Sequence, residues 1–148
     1  MESLPFDTAI VSRSLTETET LAEKVYRLIT PSGFIALRGP LGAGKTTFVR
    51  GFAKAAGCNT DDVSSPTFTI INEYHGGETP LFHFDLYRLG DASEFYAIGG
   101  DEYLERTGII LMEWPENGEE CLPDSYIDVR IEIVDAISRQ FTFTRVGQ

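Results

Sequence analysis

The stretch "FIALRGPLGAGKTTFVRGFAKAAG", Phe34 to Gly57, restricts the fold more than any other part of the chain. Gly39, Gly44, Lys45 and Thr46 fill the pattern GxxxxGK[ST], which has a mechanism only where a strand enters it and a helix leaves it. Both flanks meet that condition. "FIALR", Phe34 to Arg38, is a short apolar run bounded by Ser32-Gly33 and Gly39, which suits a buried strand. After the loop, Phe48, Val49, Phe52, Ala55 and Ala56 recur at helical spacing, and Gly57 supplies a residue that ends helices well. Glycines let backbone N–H groups turn inward around phosphate oxygens, and the helix start adds its partial positive charge. Lys45 then reaches the β and γ phosphates and the Thr46 hydroxyl reaches Mg²⁺, so the stretch reads as a site for a nucleoside triphosphate.

The rest of the chain reads as elements arranged around this unit. "SLTETETLAEKVYRLI" opens on capping signals, Ser14 or Thr16 followed three residues on by Glu17 or Glu19, and places Leu21, Val25, Leu28 and Ile29 on one helical face. "TFTIINEY" and "PLFHFDLYRL" are two strand-rich stretches joined across "HGGET", most simply as an antiparallel hairpin. "DASEFYAIGGDEYLERTG" reads as one or two short helices, and "IILME" as a second buried strand. In "YIDVRIEIV", Ile127, Val129, Ile131 and Ile133 alternate with polar residues, and "FTFTRV" answers across "DAIS", a half-exposed terminal hairpin. The fold class that follows is α/β: one P-loop NTPase domain over residues 1–148. Its mixed, partly parallel central sheet is flanked by helices and closed by a C-terminal antiparallel hairpin.

A metal held by Thr46 needs a second acid at the end of a buried strand, and two segments offer one. "IILME" presents Glu113 after four apolar residues; "LFHFD" presents Asp85 after an alternating approach in which His83 separates Phe82 from Phe84. Either carboxylate can hold Mg²⁺ or orient an attacking water. Thr67 in "SSPTFTI" occupies the place where P-loop switch proteins fold a loop over the γ phosphate. His75 and His83 have no serine or cysteine partner in sequence, so they read as surface or packed histidines; Trp114 reads as a core anchor or a lid over the nucleotide.

Several uses of a phosphate loop are disfavoured. The three lysines, Lys24, Lys45 and Lys54, sit in no Asn-Lys-x-Asp element, so GTP is disfavoured against ATP. Between Gly90 and Ser138 the basic residues are Arg106 and Arg130, which do not make the arginine-rich lid that small-molecule kinases close over a transferring phosphoryl group. Hydrolysis or nucleotide-dependent switching is favoured over kinase chemistry. The net charge of −11 would repel a phosphate backbone, so any nucleic acid is held by something else. Cys58 and Cys121 stand apart and suggest reduced, structural thiols. No leader-like or membrane-spanning run is present, and a cytoplasmic protein is expected.

Four segments, "GPLGAGKTTFVRGFAKAAG", "SSPTFTIINEY", "FHFDLYRL" and "MEWPENG", occur in the order and approximate spacing of the bacterial TsaE family, also called YjeE. The chain resembles these small P-loop ATPases of tRNA threonylcarbamoyladenosine (t6A) biosynthesis from about Leu15 through Asp124, and more weakly in the terminal hairpin. The resemblance implies ATP and Mg²⁺ binding in the cytoplasm, with hydrolysis that is slow until TsaD and TsaB join. Those partners transfer threonylcarbamoyl to adenosine 37 of tRNAs reading codons that begin with A. Carried onto matching positions, it places Leu41, Gly42, Ala43, Gly44, Lys45, Thr46 and Thr47 around the phosphates, with Trp114 beside the site. It makes Thr46 and Glu113 the metal ligands, and Asp85, Glu113, Thr67 and Lys45 the catalytic or γ-phosphate-sensing set. It also makes Leu15 to Thr18 an edge of the adenine pocket. The chain departs from the family at Pro40, where Asp is common, and across "SEFYAIGGDEY", which leaves partner contacts in Ser93 to Tyr103 less defined.

Overall fold

The computed structural model describes residues 4–29, 32–64 and 70–147. The strands are β1 (Ile10–Ser12), β2 (Gly33–Arg38), β3 (Ile71–Tyr74), β4 (Leu81–Asp85), β5 (Ile109–Glu113), β6 (Tyr126–Ile133) and β7 (Arg139–Val146). The helices are α1 (Leu15–Ile29), α2 (Lys45–Ala56), α3 (Ala92–Ala97) and α4 (Gly100–Tyr103). All seven strands lie in one sheet, in the order β1-β7-β6-β2-β5-β4-β3. Strand β2 is central and parallel to both neighbours, β5 and β6, and β5 is parallel to β4. The outer pairs β3–β4, β6–β7 and β1–β7 are antiparallel. The mixed sheet and its terminal hairpin thus follow the pattern in the sequence.

The period of two along each strand divides the core into two layers. Ile35, Leu37, Leu81, Ile109, Leu111, Val129, Phe141 and Phe143 face α1 and α2, where Val25, Phe48, Val49 and Phe52 are fully buried. Phe34, Ala36, Phe82, Phe84, Ile110 and Met112 face the other way, against Leu86, Leu89, Phe95 and Cys121. Close approach of α1 to α2 depends on Gly51, because a Cβ there would sit 2.9 Å from the Glu19 Cα and 3.2 Å from the Ala22 Cβ.

Helix ends agree with their sequence signals. Ser14 Oγ accepts from the Glu17 amide at 3.1 Å, so the cap is the Ser14–Glu17 pair, with the Glu17 carboxylate reaching the Arg13 amide at 2.9 Å. Helix α2 ends at Gly57 (φ 88), whose amide bonds Lys54 O while the Cys58 amide bonds Ala53 O, satisfying the last carbonyls.

One strand is added to the expected elements and three expectations are corrected. Strand β1 pairs with β7 at the sheet edge and has too short an apolar pattern to signal itself. Leu28 is exposed, because the α1 stripe runs through Thr18, Leu21, Ala22, Val25 and Tyr26. Ile133 is exposed where the terminal hairpin runs past the core. Strand β4 is buried at every position, His83 included, although its sequence alternates. Among the described residues no helix is long and apolar enough to cross a membrane.

Candidate functional site

Register sets the site. Glu113, the last residue of β5, lies opposite Leu37 of β2 on one side and Asp85 of β4 on the other. Three parallel strands therefore end level, delivering the phosphate loop, Glu113 and Asp85 to one edge. Carboxyl ends of parallel strands are where open α/β sheets bind ligands. Strand periodicity also puts Glu113 and Asp85 on the α2 side, facing the helix that begins at Lys45.

The loop is shaped to present amides. Gly44 precedes α2 with φ 100 and ψ 22, a left-handed conformation that costs glycine little, and no side chain caps the helix start. The free N–H groups and helix dipole make that end ready for an anion. Gly39 packs where any Cβ would lie 2.6 Å from the Ile131 carbonyl. Arg139, at the start of β7, donates Nε to Ala43 O at 3.1 Å and Nη2 to Gly42 O at 3.2 Å. The loop is thereby braced from the terminal hairpin by a guanidinium.

Lys45 is almost fully buried and folds back onto its own loop. Its Nζ donates to the Gly39 carbonyl and lies 3.6 Å from the centroid of the Trp114 ring. Burial pushes the Lys45 ammonium below its ordinary value, against the pull of Glu113, Glu116 and Asp85. Trp114 takes a left-handed conformation (φ 57) and packs on Tyr87 at 4.9 Å between ring centroids. The Thr46 hydroxyl donates to Glu113 Oε2 at 3.4 Å, and the same oxygen accepts from His83 Nε2 at 2.6 Å. Asp85 is buried, and its Oδ1 accepts the Tyr87 amide at 2.9 Å. Asn117 ties the segment after Asp85 to the one after Glu113, donating to Leu86 O at 2.9 Å and Tyr87 O at 3.1 Å.

Two cavities meet at the loop. One, of about 530 Å³, is lined by Leu41, Lys45, Thr46, Asp85, Tyr87, Arg88, Glu113 and Trp114. The other, of about 420 Å³, is lined by Ser12 to Leu15, Thr18, Ala136, Ile137, Arg139 and Phe141. Gly42, Gly44 and Thr47 line both. One chamber holds the carboxylates Asp85 and Glu113 with Lys45 and Arg88, the other the apolar Leu15, Ile137 and Phe141 among hydroxyls and arginines. The two join over the loop amides, an arrangement with room for phosphates in one and a base in the other. Hydroxyl and carboxylate oxygens in the first fit Mg²⁺, which uses one or two protein oxygens plus phosphate and water. Among the described residues there is no cluster of three or more His, Cys, Asp or Glu that could hold a metal ion.

The sequence profile of "Threonylcarbamoyl adenosine biosynthesis protein TsaE" matches residues 12–141. The chain belongs to the TsaE family. It is similar to the "tRNA threonylcarbamoyladenosine biosynthesis protein TsaE" of Bacillus subtilis (strain 168), at 44% identity over 88% of this chain and 81% of that protein. The protein of the same name from Aquifex aeolicus (strain VF5) is 40% identical over 92% of this chain and 95% of its own length. A crystal structure of Bacillus subtilis YdiB superposes with a TM-score of 0.76 at 33% identity, covering 95% of this chain and 86% of that one.

Of the residues expected at a TsaE-family site, the fold brings Leu41, Gly42, Gly44, Lys45, Thr46, Thr47, Asp85, Glu113 and Trp114 around the larger cavity. Ala43, its side chain fully buried in the core, lines the smaller cavity. Leu15 and Thr18 line the smaller cavity. Thr67 lies outside the described residues. Sequence reasoning overlooked Arg139, Ala136, Ile137 and Phe141, which reach the loop only through β6–β7 pairing. It also left His83 idle; its one signal was a polar side chain between two phenylalanines in a strand that ends on a carboxylate.

Proposed function

We propose that this chain is the ATP-binding and ATP-hydrolysing component of the machinery that makes t6A at position 37 of tRNA, a single cytoplasmic ATPase domain acting with TsaD and TsaB. The observation that carries the reading is the pairing of the Thr46 hydroxyl with the Glu113 carboxylate, at the level ends of β2 and β5, in a member of the TsaE family. The relatives' names place those proteins in t6A biosynthesis. The net charge of −11 favours action on protein partners, with tRNA reached only through them.

In this reading the adenosine occupies the cavity between Leu15, Thr18, Ile137 and Phe141, and the phosphates lie along the amides from Leu41 to Thr47. Thr46 and Glu113 would hold Mg²⁺, which when bound neutralises charge on phosphate oxygens. Lys45 exchanges the Gly39 carbonyl for a phosphate oxygen, so its ammonium is available without a long rearrangement. Asp85 orients the attacking water and accepts its proton, and Thr67 senses the γ phosphate. Trp114 closes the outer wall. Depleting the protein should lower t6A in bulk tRNA, with rescue by wild type and none by Lys45→Ala or Glu113→Ala. Normal t6A after depletion, without a substituting enzyme, would contradict the proposal.

A further inference from the structure

His83 lies in the middle of β4, is fully buried, and hydrogen-bonds through both ring nitrogens. Nε2 meets Glu113 Oε2 at 2.6 Å, and Nδ1 meets the Tyr74 hydroxyl at 2.9 Å. Tyr74, itself buried, lies 3.2 Å from the Ser64 carbonyl through the same hydroxyl, and Asn72 Nδ2 donates to that carbonyl at 3.2 Å. A continuous chain therefore runs from Ser64 through Tyr74 and His83 to the carboxylate that faces Thr46.

Chemistry fixes part of its polarity. A carboxylate only accepts, so the Nε2 hydrogen belongs to the short bond with Glu113. Neutral His83 then leaves Nδ1 as an acceptor for the single Tyr74 hydroxyl hydrogen at 2.9 Å, and the hydroxyl oxygen in turn accepts from the Ser64 amide at 3.4 Å, which joins it to that backbone. Packing alone would not put an imidazole at this position. A buried strand site between Phe82 and Phe84 suits an aliphatic side chain, and the imidazole there serves Glu113: among the described residues its bond to the buried carboxylate, at 2.6 Å, is much shorter than the 3.4 Å bond from Thr46.

We propose that His83 is a positioning residue for Glu113: it anchors Oε2 so that the carboxylate meets the metal in one orientation, and Tyr74 braces the ring against the Ser64 backbone. The inference rests on the Mg²⁺-nucleotide reading of the loop. Groups that orient metal-binding carboxylates and imidazoles typically alter metal affinity or activity by 10–100-fold when removed. Loss of His83 therefore acts on the metal, while nucleotide contacts made by the loop amides persist.

The test separates those two terms. Affinity for a fluorescent ADP analogue is measured in EDTA and across a Mg²⁺ titration, alongside thermal midpoints, for wild type, His83→Leu, His83→Gln and Tyr74→Phe. His83→Leu should raise the Mg²⁺ concentration for half-maximal effect on the order of tenfold while leaving the EDTA affinity near wild type. His83→Gln, whose amide nitrogen substitutes for Nε2, should recover most of that loss, and Tyr74→Phe should show a smaller shift in the same direction. A wild-type Mg²⁺ response in His83→Leu, or a His83→Gln as impaired as His83→Leu, overturns the proposal. Where His83→Leu does not fold, an unshifted Tyr74→Phe overturns it. A wild-type protein that binds no nucleotide in either medium overturns the nucleotide reading and this one together; a Mg²⁺-dependent wild type whose variants show the same Mg²⁺ response overturns this one alone.

Discussion

Replacing Arg139 by alanine tests whether the phosphate loop is held in shape from outside itself. Its guanidinium makes four bonds to carbonyls: Ala43 and Gly42 in the loop, Asp135 and Ser138 in the hairpin turn. Two of these determine the loop, and the Ala43 carbonyl belongs to a fully buried residue. A hydrogen bond from a charged donor contributes about 1.5 to 3 kcal/mol when both partners are sheltered. Gly42 is exposed, so water replaces that bond nearly in full, and the Ala43 bond dominates. Loss of about 1.5 to 3 kcal/mol follows, enough to move a urea midpoint by about 1 M at the slope usual for small proteins. Nucleotide affinity should fall too, because loop amides that must be reordered on binding cost affinity. Equilibrium urea unfolding and calorimetric titration of ATP measure the two terms. Arg139→Lys should not restore the loop, since one ammonium cannot reach both carbonyls in the geometry of a planar fork. An Arg139→Ala midpoint equal to wild type, or full rescue by lysine, would refute the reasoning.

Other consequences are accessible to single measurements. Gly51→Val should destabilise by about 1 to 3 kcal/mol in urea, because its Cβ would sit 2.9 Å from the Glu19 backbone and α1 and α2 would have to separate; Gly51→Ala should cost less, and an unchanged Gly51→Val would mean the helices separate freely. The one tryptophan, Trp114, should report nucleotide entry, since Lys45 has to leave its ring for a phosphate. Emission should change saturably with ATP in wild type and not in Lys45→Met, and a constant signal under calorimetrically confirmed binding would exclude the Lys45 movement. Glu73 accepts the Tyr103 hydroxyl at 2.8 Å, and that bond, with help from His75 and Arg106, holds its carboxyl below the ordinary value of 4.5. A depressed carboxyl stabilises fully above its unfolded value, and the contribution is lost as pH falls through the folded one. Glu73→Gln should therefore flatten that acid limb slightly, by well under 1 kcal/mol at so exposed a position.

Local chemistry was readable and long-range chemistry was not. The loop, its strand and its helix lie within one stretch of sequence, so Gly39 to Thr46 could be assigned from spacing alone. Glu113 followed from a buried strand ending in an acid. Asp85 was harder, because the alternation of "LFHFD" suggested a half-exposed strand, whereas β4 is sandwiched between β5 and β3 with helices over it. His83 looked idle for the same reason: its partners, Tyr74 and Glu113, come from the neighbouring strands and no local pattern announces them. Arg139 is an ordinary hairpin arginine until the β6–β2 pairing brings the hairpin under the loop.

The two cavities that meet at Gly42 and Gly44 have different origins along the chain. The one beside Glu113 is lined by residues between 41 and 114, whereas the one beside Phe141 joins residues 12–18 to residues 136–141. The seat proposed for the base is therefore enclosed only when the β6–β7 hairpin has docked against β1 and β2, and the same docking brings Arg139 to the phosphate loop. Triphosphate bound across both cavities would stabilise the closure of these two sequence-distant parts of the sheet upon each other.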